Sequence, residues 1–351
     1  MTNLVSAILA GSWRQPPPPW QLSPIELDQV TPLLYQSGAA GLGWWRVSQT
    51  EMTGSPSADL LHQAFRLQTL HASINAGKIK KVFALLRSAN IEPILFKGWS
   101  VARYYPQPGL RASGDIDILV HPRHLAATTA ILQAPEARDC WVDLHHRLDE
   151  LEDRKIDDLF ARSQLVNLDE EQVRVLQLED HLGLLAVHLL KHGAWRPLWL
   201  CDLGVILDSL PDDFDWGLCF GKDRVRRNWI TSAIGLAQLL LDARVKDPVI
   251  AEQASRIPMW LGRSVLKQWE APLNIRQEPM NHMAPMSHYL RRPKGVLRDM
   301  ANRWPNPILA TITVKGRFNR IPRLPYQLGN CLLRAAKFAT SMVPGAANNE
   351  S

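Results

Sequence analysis

The chain has 351 residues, enough for two domains or for one domain with a helical extension. Hydrophobic residues make up 46%, which excludes a wholly disordered chain, and no apolar run reaches the 18 uninterrupted residues of a spanning helix. The net charge of +6 belongs to the end: from Arg291 onward eleven Lys or Arg face two acids, while residues 1–290 carry 29 basic against 32 acidic residues.

The N-terminal segment, residues 1–56, contains Pro16–Pro19, which favours a stiff polyproline II spacer, and a helix-like stretch from Pro24 to Gln36. Leu4 to Ala10 is short and no Lys or Arg precedes it, so a secretory signal is not expected. Gly41-Leu-Gly43-Trp44 lacks the third glycine and the strand context of a dinucleotide loop and reads as a turn.

Residues 58–89 read as two helices, with Leu60, Leu61, Ala64, Leu67 and His71 at helical spacing in the first and Val82, Phe83, Leu85 and Leu86 in the second. Ile91–Phe96 is the first expected strand. Gly98 permits a tight turn, and Trp99–Tyr105 is a short helix whose first amides suit a phosphate. A loop from Pro106 to Gly114 leads to a second strand, Asp115–Val120, and then to a helix, Pro122–Leu132. Cys140–His145 and Val173–Leu176 complete the strands.

After Glu179 the period becomes helical, with an apolar face of Leu182, Leu185, Ala186, Leu189 and Leu190. Further helices are expected at Leu198–Leu210, Val225–Ala243 and Ile257–Trp269. Beyond Pro272 proline and charge increase and the helical pattern weakens. The four cysteines, Cys140, Cys201, Cys219 and Cys331, form no CxxC pair, so neither a zinc knuckle nor a disulfide framework is implied and a reducing, cytoplasmic location is expected.

The chemistry concentrates in the strands. Alternation places Asp115 and Asp117 on one face and sends Ile116 and Ile118 into a core. Two carboxylates on one face repel unless a cation sits between them, and a hard ion such as Mg²⁺ takes oxygen ligands. A solvated strand edge is the weaker alternative for an isolated Asp-x-Asp. Asp143 in the next strand, placed to supply a third carboxylate, favours the metal.

His145 shares the face of Asp143, either as an acceptor contact or base or as a half-buried structural histidine. Arg111, just before the Asp pair, suits a phosphate as a bidentate partner, or is a surface loop residue. Lys97 either neutralises phosphate or points to solvent. His188 and His192 lie one helical turn apart, but Leu189 stands where a zinc protease needs Glu. Packing or contact with a ligand remain for them. Trp195 and Trp199 either pack or stack on a base. Walker A, GxSxG and kinase signatures are missing.

Leu95-Phe96-Lys97-Gly98, Tyr104, Tyr105, Arg111, Asp115-Ile-Asp117-Ile-Leu-Val and Val142-Asp143-Leu-His145 occur in this order, followed by Leu178-Glu179-Asp180-His181 and the stretch His188–Asp202. Over roughly residues 60–245 the chain resembles a poorly characterised bacterial family of nucleotidyltransferases within the polymerase-beta-like superfamily. That superfamily usually has Gly-Gly or Gly-Ser at the first turn, where this chain has Lys97-Gly98.

The resemblance implies an α/β (α+β) fold. A small mixed-sheet core, residues 57–177, is followed by a helical domain, 178–275, and a basic C-terminal extension, 276–351, with the active cleft between core and helices. It further implies a Mg²⁺- or Mn²⁺-dependent nucleotidyltransferase that moves NMP from an NTP such as ATP to a hydroxyl or phosphate acceptor. The acceptor class is open among sugar, peptide and protein, in a polysaccharide or modified-peptide pathway of a bacterial biosynthetic cluster. On this reading Asp115 and Asp117 hold the metal, and Asp143 completes the site or acts as base. Gly98 with the amides of Trp99 and Ser100 cradles phosphates, Ser100 adds its hydroxyl, and Lys191 and Asp202 belong to the far wall.

The alternative is a non-catalytic nucleotide- or partner-binding protein that retains the fold; the presence of all three acids argues against it. For the basic tail, an anionic partner (nucleic acid, lipid or acidic protein) stands beside a solvated helical cap.

Overall fold

A computed structural model describes residues 3–270 and 304–341. Five strands form one mixed sheet: β1 (Ile94–Leu95), β2 (Ile116–Leu119), β3 (Val142–His145), β4 (Gln164–Leu168) and β5 (Glu171–Val175). Their order is β3-β2-β1-β5-β4. β1 runs antiparallel to β2 and parallel to β5, β2 and β3 are parallel, and β4–β5 is a hairpin. The sequence suggested a single strand near Val173. Its partner β4 is an edge strand, largely exposed, so its apolar alternation is weak.

Helices precede, interrupt and follow the sheet. Before it come α1 (Leu4–Leu9), α2 (Pro24–Ser37), α3 (Ala40–Val47) and α4 (Pro56–Ser88). Between strands lie α5 (Gly98–Ala102), α6 (Leu125–Gln133) and α7 (Ile156–Arg162). After it come α8 (Leu178–Lys191), α9 (Pro197–Asp208), α10 (Trp216–Phe220), α11 (Arg224–Leu241), α12 (Pro248–Ser255) and α13 (Met259–Trp269).

Two of these differ from the sequence expectation. α4 is one helix of 33 residues, not two. The junction holds no proline, and Gly77 lies in open space, so helix continues there at a cost of about 1 kcal/mol relative to Ala. The expected turn at Gly41–Trp44 lies inside α3. A Cβ on Gly41 would stand 2.2 Å from the Gly109 carbonyl oxygen, so this glycine serves a close helix–loop approach.

The sheet separates two apolar cores. One face of β2, Ile116 and Ile118, packs with Leu95, Val173 and Val175 against Ile79, Val82, Phe83 and Leu86 of α4. The other face, with Ile94, Phe96 and Leu119, belongs to the larger core built from α8, α9 and α11. The N-terminal helices α1–α3 and the first turns of α4 share that larger core. Asp117 lies between Ile116 and Ile118 and so faces the helical side, and the cleft opens there.

From the basic extension, helix Pro307–Thr313 inserts Ile308 and Ile312 into the larger core, and a second helix spans Leu324–Ser341. Much of the extension expected to meet an anionic partner lies outside the described residues. Among the described residues, no helix is long and apolar enough to cross a membrane.

Candidate active site

The cleft between sheet and helices has a volume of about 860 Å³. Parallel pairing of β2 with β3 sets Asp117 opposite Asp143 and Leu119 opposite His145. Asp117 is buried at 6% exposure, whereas the Asp143 side chain is 53% exposed. His145 Nε2 lies 3.0 Å from Asp143 Oδ2 and 3.8 Å from Asp117 Oδ1. One ligand atom from each of these three residues falls within 4.8 Å of the others. Asp115 lines the cleft and is exposed, just ahead of β2 and outside that tight group.

Charge accumulates accordingly. Burial pulls the His145 pKa down, but Asp117 and Asp143 outweigh it and lift it to about 9. His145 in turn holds the Asp143 carboxyl below the usual carboxylate range.

The turn after β1 is strained and heavily tied. Lys97 has φ 55° and ψ −151°, a region that costs a non-glycine residue about 1–3 kcal/mol. Four contacts hold it. Its amide donates to His181 Nε2 at 3.2 Å, and its carbonyl accepts from Ser100 Oγ at 2.8 Å and from the Val101 amide at 3.3 Å. Its Nζ reaches Asp117 Oδ1 at 3.1 Å. Gly98 follows with φ 38° and lines the cleft. Ser100, expected to offer its hydroxyl to phosphate, is fully buried and turned into the turn.

His181 is also buried, and burial, followed by the charges of Arg103, Arg111 and Lys97, pushes its pKa down to about 3. Its ring is therefore neutral, and Nε2 accepts the hydrogen bond of the Lys97 amide, with Ser100 Oγ 3.3 Å away.

Arg111 lines the cleft but is anchored from behind. Its Nε and Nη2 donate to Asp202 Oδ1 and Oδ2 at 3.2 and 3.0 Å, and its Nη1 donates to the Ala112 carbonyl at 3.1 Å. Tyr105 Oη adds a 2.9 Å bond to Asp202 Oδ1. Asp202 was expected on the far wall; it is 0% exposed and fixes Arg111 from inside α9.

The helical wall consists of Glu150, His188, Lys191, His192, Arg196 and Trp199. His188 and His192 rings lie 4.5 Å apart and both pack against Trp199, at 4.9 and 5.1 Å between centroids. Packing and cleft-lining are thus combined in one pair. Burial keeps both imidazoles neutral, His192 down to about 4. Trp195 stacks edgewise on Trp199 at 5.6 Å.

Glu150 was not singled out from the sequence. It sits 3.5 Å from His188 Nδ1 and 4.0 Å from Lys191 Nζ. Burial raises its pKa, but His188 and Lys191 overcome this and bring it to about 2. Its position in a short charged turn after β3 offered no periodic signal.

Residues 23–137 and 133–242 match the model of a family described as uncharacterised nucleotidyltransferases. The chain belongs to this family. No curated protein and no solved structure matches it. The matched span carries β1, β2, β3 and both cleft walls.

A divalent cation fits the sheet side of the cleft. Asp117 and Asp143 offer hard oxygens and His145 an imidazole nitrogen, converging from adjacent strands. His145 Nε2 is buried and faces the two carboxylates without an aligned hydrogen bond, so binding an ion there means giving up the proton that they stabilise.

Proposed function

We propose that the chain is a metal-dependent nucleotidyltransferase that moves NMP from an NTP to a hydroxyl or phosphate acceptor. The observation that carries this reading is the Asp117–Asp143–His145 cluster beside the Lys97-Gly98 turn. Asp117 and Asp143 hold Mg²⁺ or Mn²⁺, with Asp115 contributing from the cleft mouth. The bound ion supplies positive charge where the attacking and leaving oxygens gain negative charge. The Gly98 turn and Lys97 face the donor phosphates. His188, Lys191 and His192, with Glu150, face the acceptor, a sugar, peptide or protein group.

A second reading has one observation in its favour. Lys97 Nζ already compensates Asp117 at 3.1 Å, as in a non-catalytic binding protein that keeps the fold without needing a metal. Calorimetry with each NTP in Mg²⁺ or Mn²⁺, on wild type, Asp117→Asn and the double variant Asp115→Ala/Asp117→Ala, separates the two. Metal-dependent binding that is lost in the variants is expected. Binding undiminished in Asp117→Asn favours the second reading, and no binding of any NTP by folded wild type overturns the first.

A further inference from the structure

Arg196 sits between α8 and α9, and its guanidinium lines the cleft with Arg111 and Lys97. Nε donates to the Ser37 carbonyl at 3.0 Å. A Cβ on Gly38, which has φ 78°, would fall 2.7 Å from Arg196 Nη2, so the fork lies directly on the backbone at the end of α2. The guanidinium carbon is 5.6 Å from the centre of the Trp199 ring. These contacts fix the side chain but do not neutralise it. Among the described residues, no carboxylate comes within 4.0 Å of its nitrogens.

Arg111 makes the contrast. It occupies both oxygens of Asp202, the buried carboxylate on this side of the cleft. Two guanidiniums therefore share one wall, and one buried carboxylate is fully engaged by the first. Burial, then repulsion from Arg111, push the Arg196 pKa down, and the charges of Asp202 and Asp115, neither within 4.0 Å, offset this only in part. Arginine nonetheless keeps its proton in proteins, so the charge persists. A partly buried charge without a carboxylate in contact carries a desolvation cost that an anion entering the cleft reduces. With Nε committed to Ser37, the two terminal nitrogens remain to meet the paired oxygens of a phosphate, which suit them better than a halide does.

We propose that Arg196 is a phosphate-binding residue that, with Arg111 and Lys97, grips the polyphosphate of a nucleotide in the cleft. That the polyphosphate belongs to a nucleotide rests on the transfer reading above; the polyphosphate site stands on the arginines themselves.

The probe is inorganic tripolyphosphate, titrated by calorimetry at low salt without metal into wild type, Arg196→Gln and Arg196→Lys. Wild type is expected to bind, Arg196→Gln to lose at least about tenfold, and Arg196→Lys to fall between, since it keeps the charge and loses the fork. The basic extension is the same in all three proteins, so binding there cancels in the comparison. Equal affinity in wild type and Arg196→Gln, or no binding by wild type, overturns the proposal.

Should Arg196→Gln fail to fold once its Ser37 bond is lost, the wild type against Arg196→Lys ratio decides, with equality again overturning it. Tripolyphosphate binding that depends on Arg196, in a protein that binds no NTP with metal, leaves this site standing and removes the transfer reading. Metal-dependent NTP binding that ignores Arg196 does the reverse.

Discussion

Asp117 and Asp143 stand directly opposite each other across the parallel β2–β3 pair, one buried and one half exposed. Like charges in this relation destabilise a sheet, and here Lys97 and His145 offset the repulsion. The two carboxylates are therefore unequal. Asp117→Asn removes the partner of a largely buried lysine as well as a metal oxygen, whereas Asp143→Asn removes a metal oxygen and a half-exposed partner of His145. Both variants are expected to lose more than about 100-fold in Mn²⁺ affinity, since even outer-shell changes cost 10- to 100-fold. Asp117→Asn should also lower the urea midpoint clearly more than Asp143→Asn, because its oxygen is buried and its lysine partner is left behind. Equal midpoints for the two would refute the asymmetry.

The Lys97–His181 bond yields a second prediction. His181→Leu leaves the Lys97 amide buried without an acceptor, at a cost of about 1–3 kcal/mol, and frees a strained turn to relax. His181→Asn keeps an acceptor oxygen near the same place. Hydrogen exchange at the Lys97 amide should speed up markedly in the Leu variant and recover in the Asn variant. Unchanged protection in His181→Leu would show that the turn is held by Ser100 and Asp117 alone.

Parts of this site were legible in the chain and parts were not, for physical reasons. Period-two alternation separates Ile116 and Ile118 from Asp117, because the sheet is buried on both faces and a carboxylate must then face a cavity. Strands followed by helices were legible from the change of hydrophobic period, whereas the mixed sheet was implied by the family resemblance. Strand register was not, so the opposition of Asp117 to Asp143 and the approach of His145 could not be derived from spacing. Asp202 reaches back 91 residues to Arg111, and a local pattern carries no trace of such a pairing. Glu150 and Arg196 sit in irregular turns whose side-chain directions depend on tertiary packing. Ser100 looked like a phosphate donor because its neighbours suit one, but the strained turn uses the hydroxyl itself.

Opposing histidines set the pH response. His181, His188 and His192 have folded pKa values below the ordinary value near 6.5, so they take up protons on unfolding in acid. Their contribution is present above about pH 6.5 and is lost as pH falls toward 4 and 3, at up to about 1.4 kcal/mol per pH unit for each unequal proton. His145 acts in the opposite sense. Its folded pKa of about 9 gives a contribution present below about pH 6.5 and lost as pH rises through 9. Urea denaturation of the metal-free protein between pH 4 and 9.5 is expected to peak near pH 6.5. His145→Gln should flatten the alkaline limb only, and His192→Gln should soften the acid limb only. A flat alkaline limb in wild type would contradict the His145 assignment.

The Arg111–Asp202 pair separates stability from binding. Asp202→Ala abandons a buried guanidinium and removes the acceptor of Tyr105, and should cost about 3–5 kcal/mol. Removing both charges with apolar residues of similar volume, in Arg111→Met/Asp202→Leu, leaves no uncompensated ion, so much of that loss should return. The double variant would then be folded but would lack one of the two arginines on the cleft wall. Tripolyphosphate binding should drop in it although stability has recovered, because Arg111 lines the cleft with its far side held by Asp202. Recovery of both would confine Arg111 to a structural role and leave Arg196 as the arginine that meets the anion.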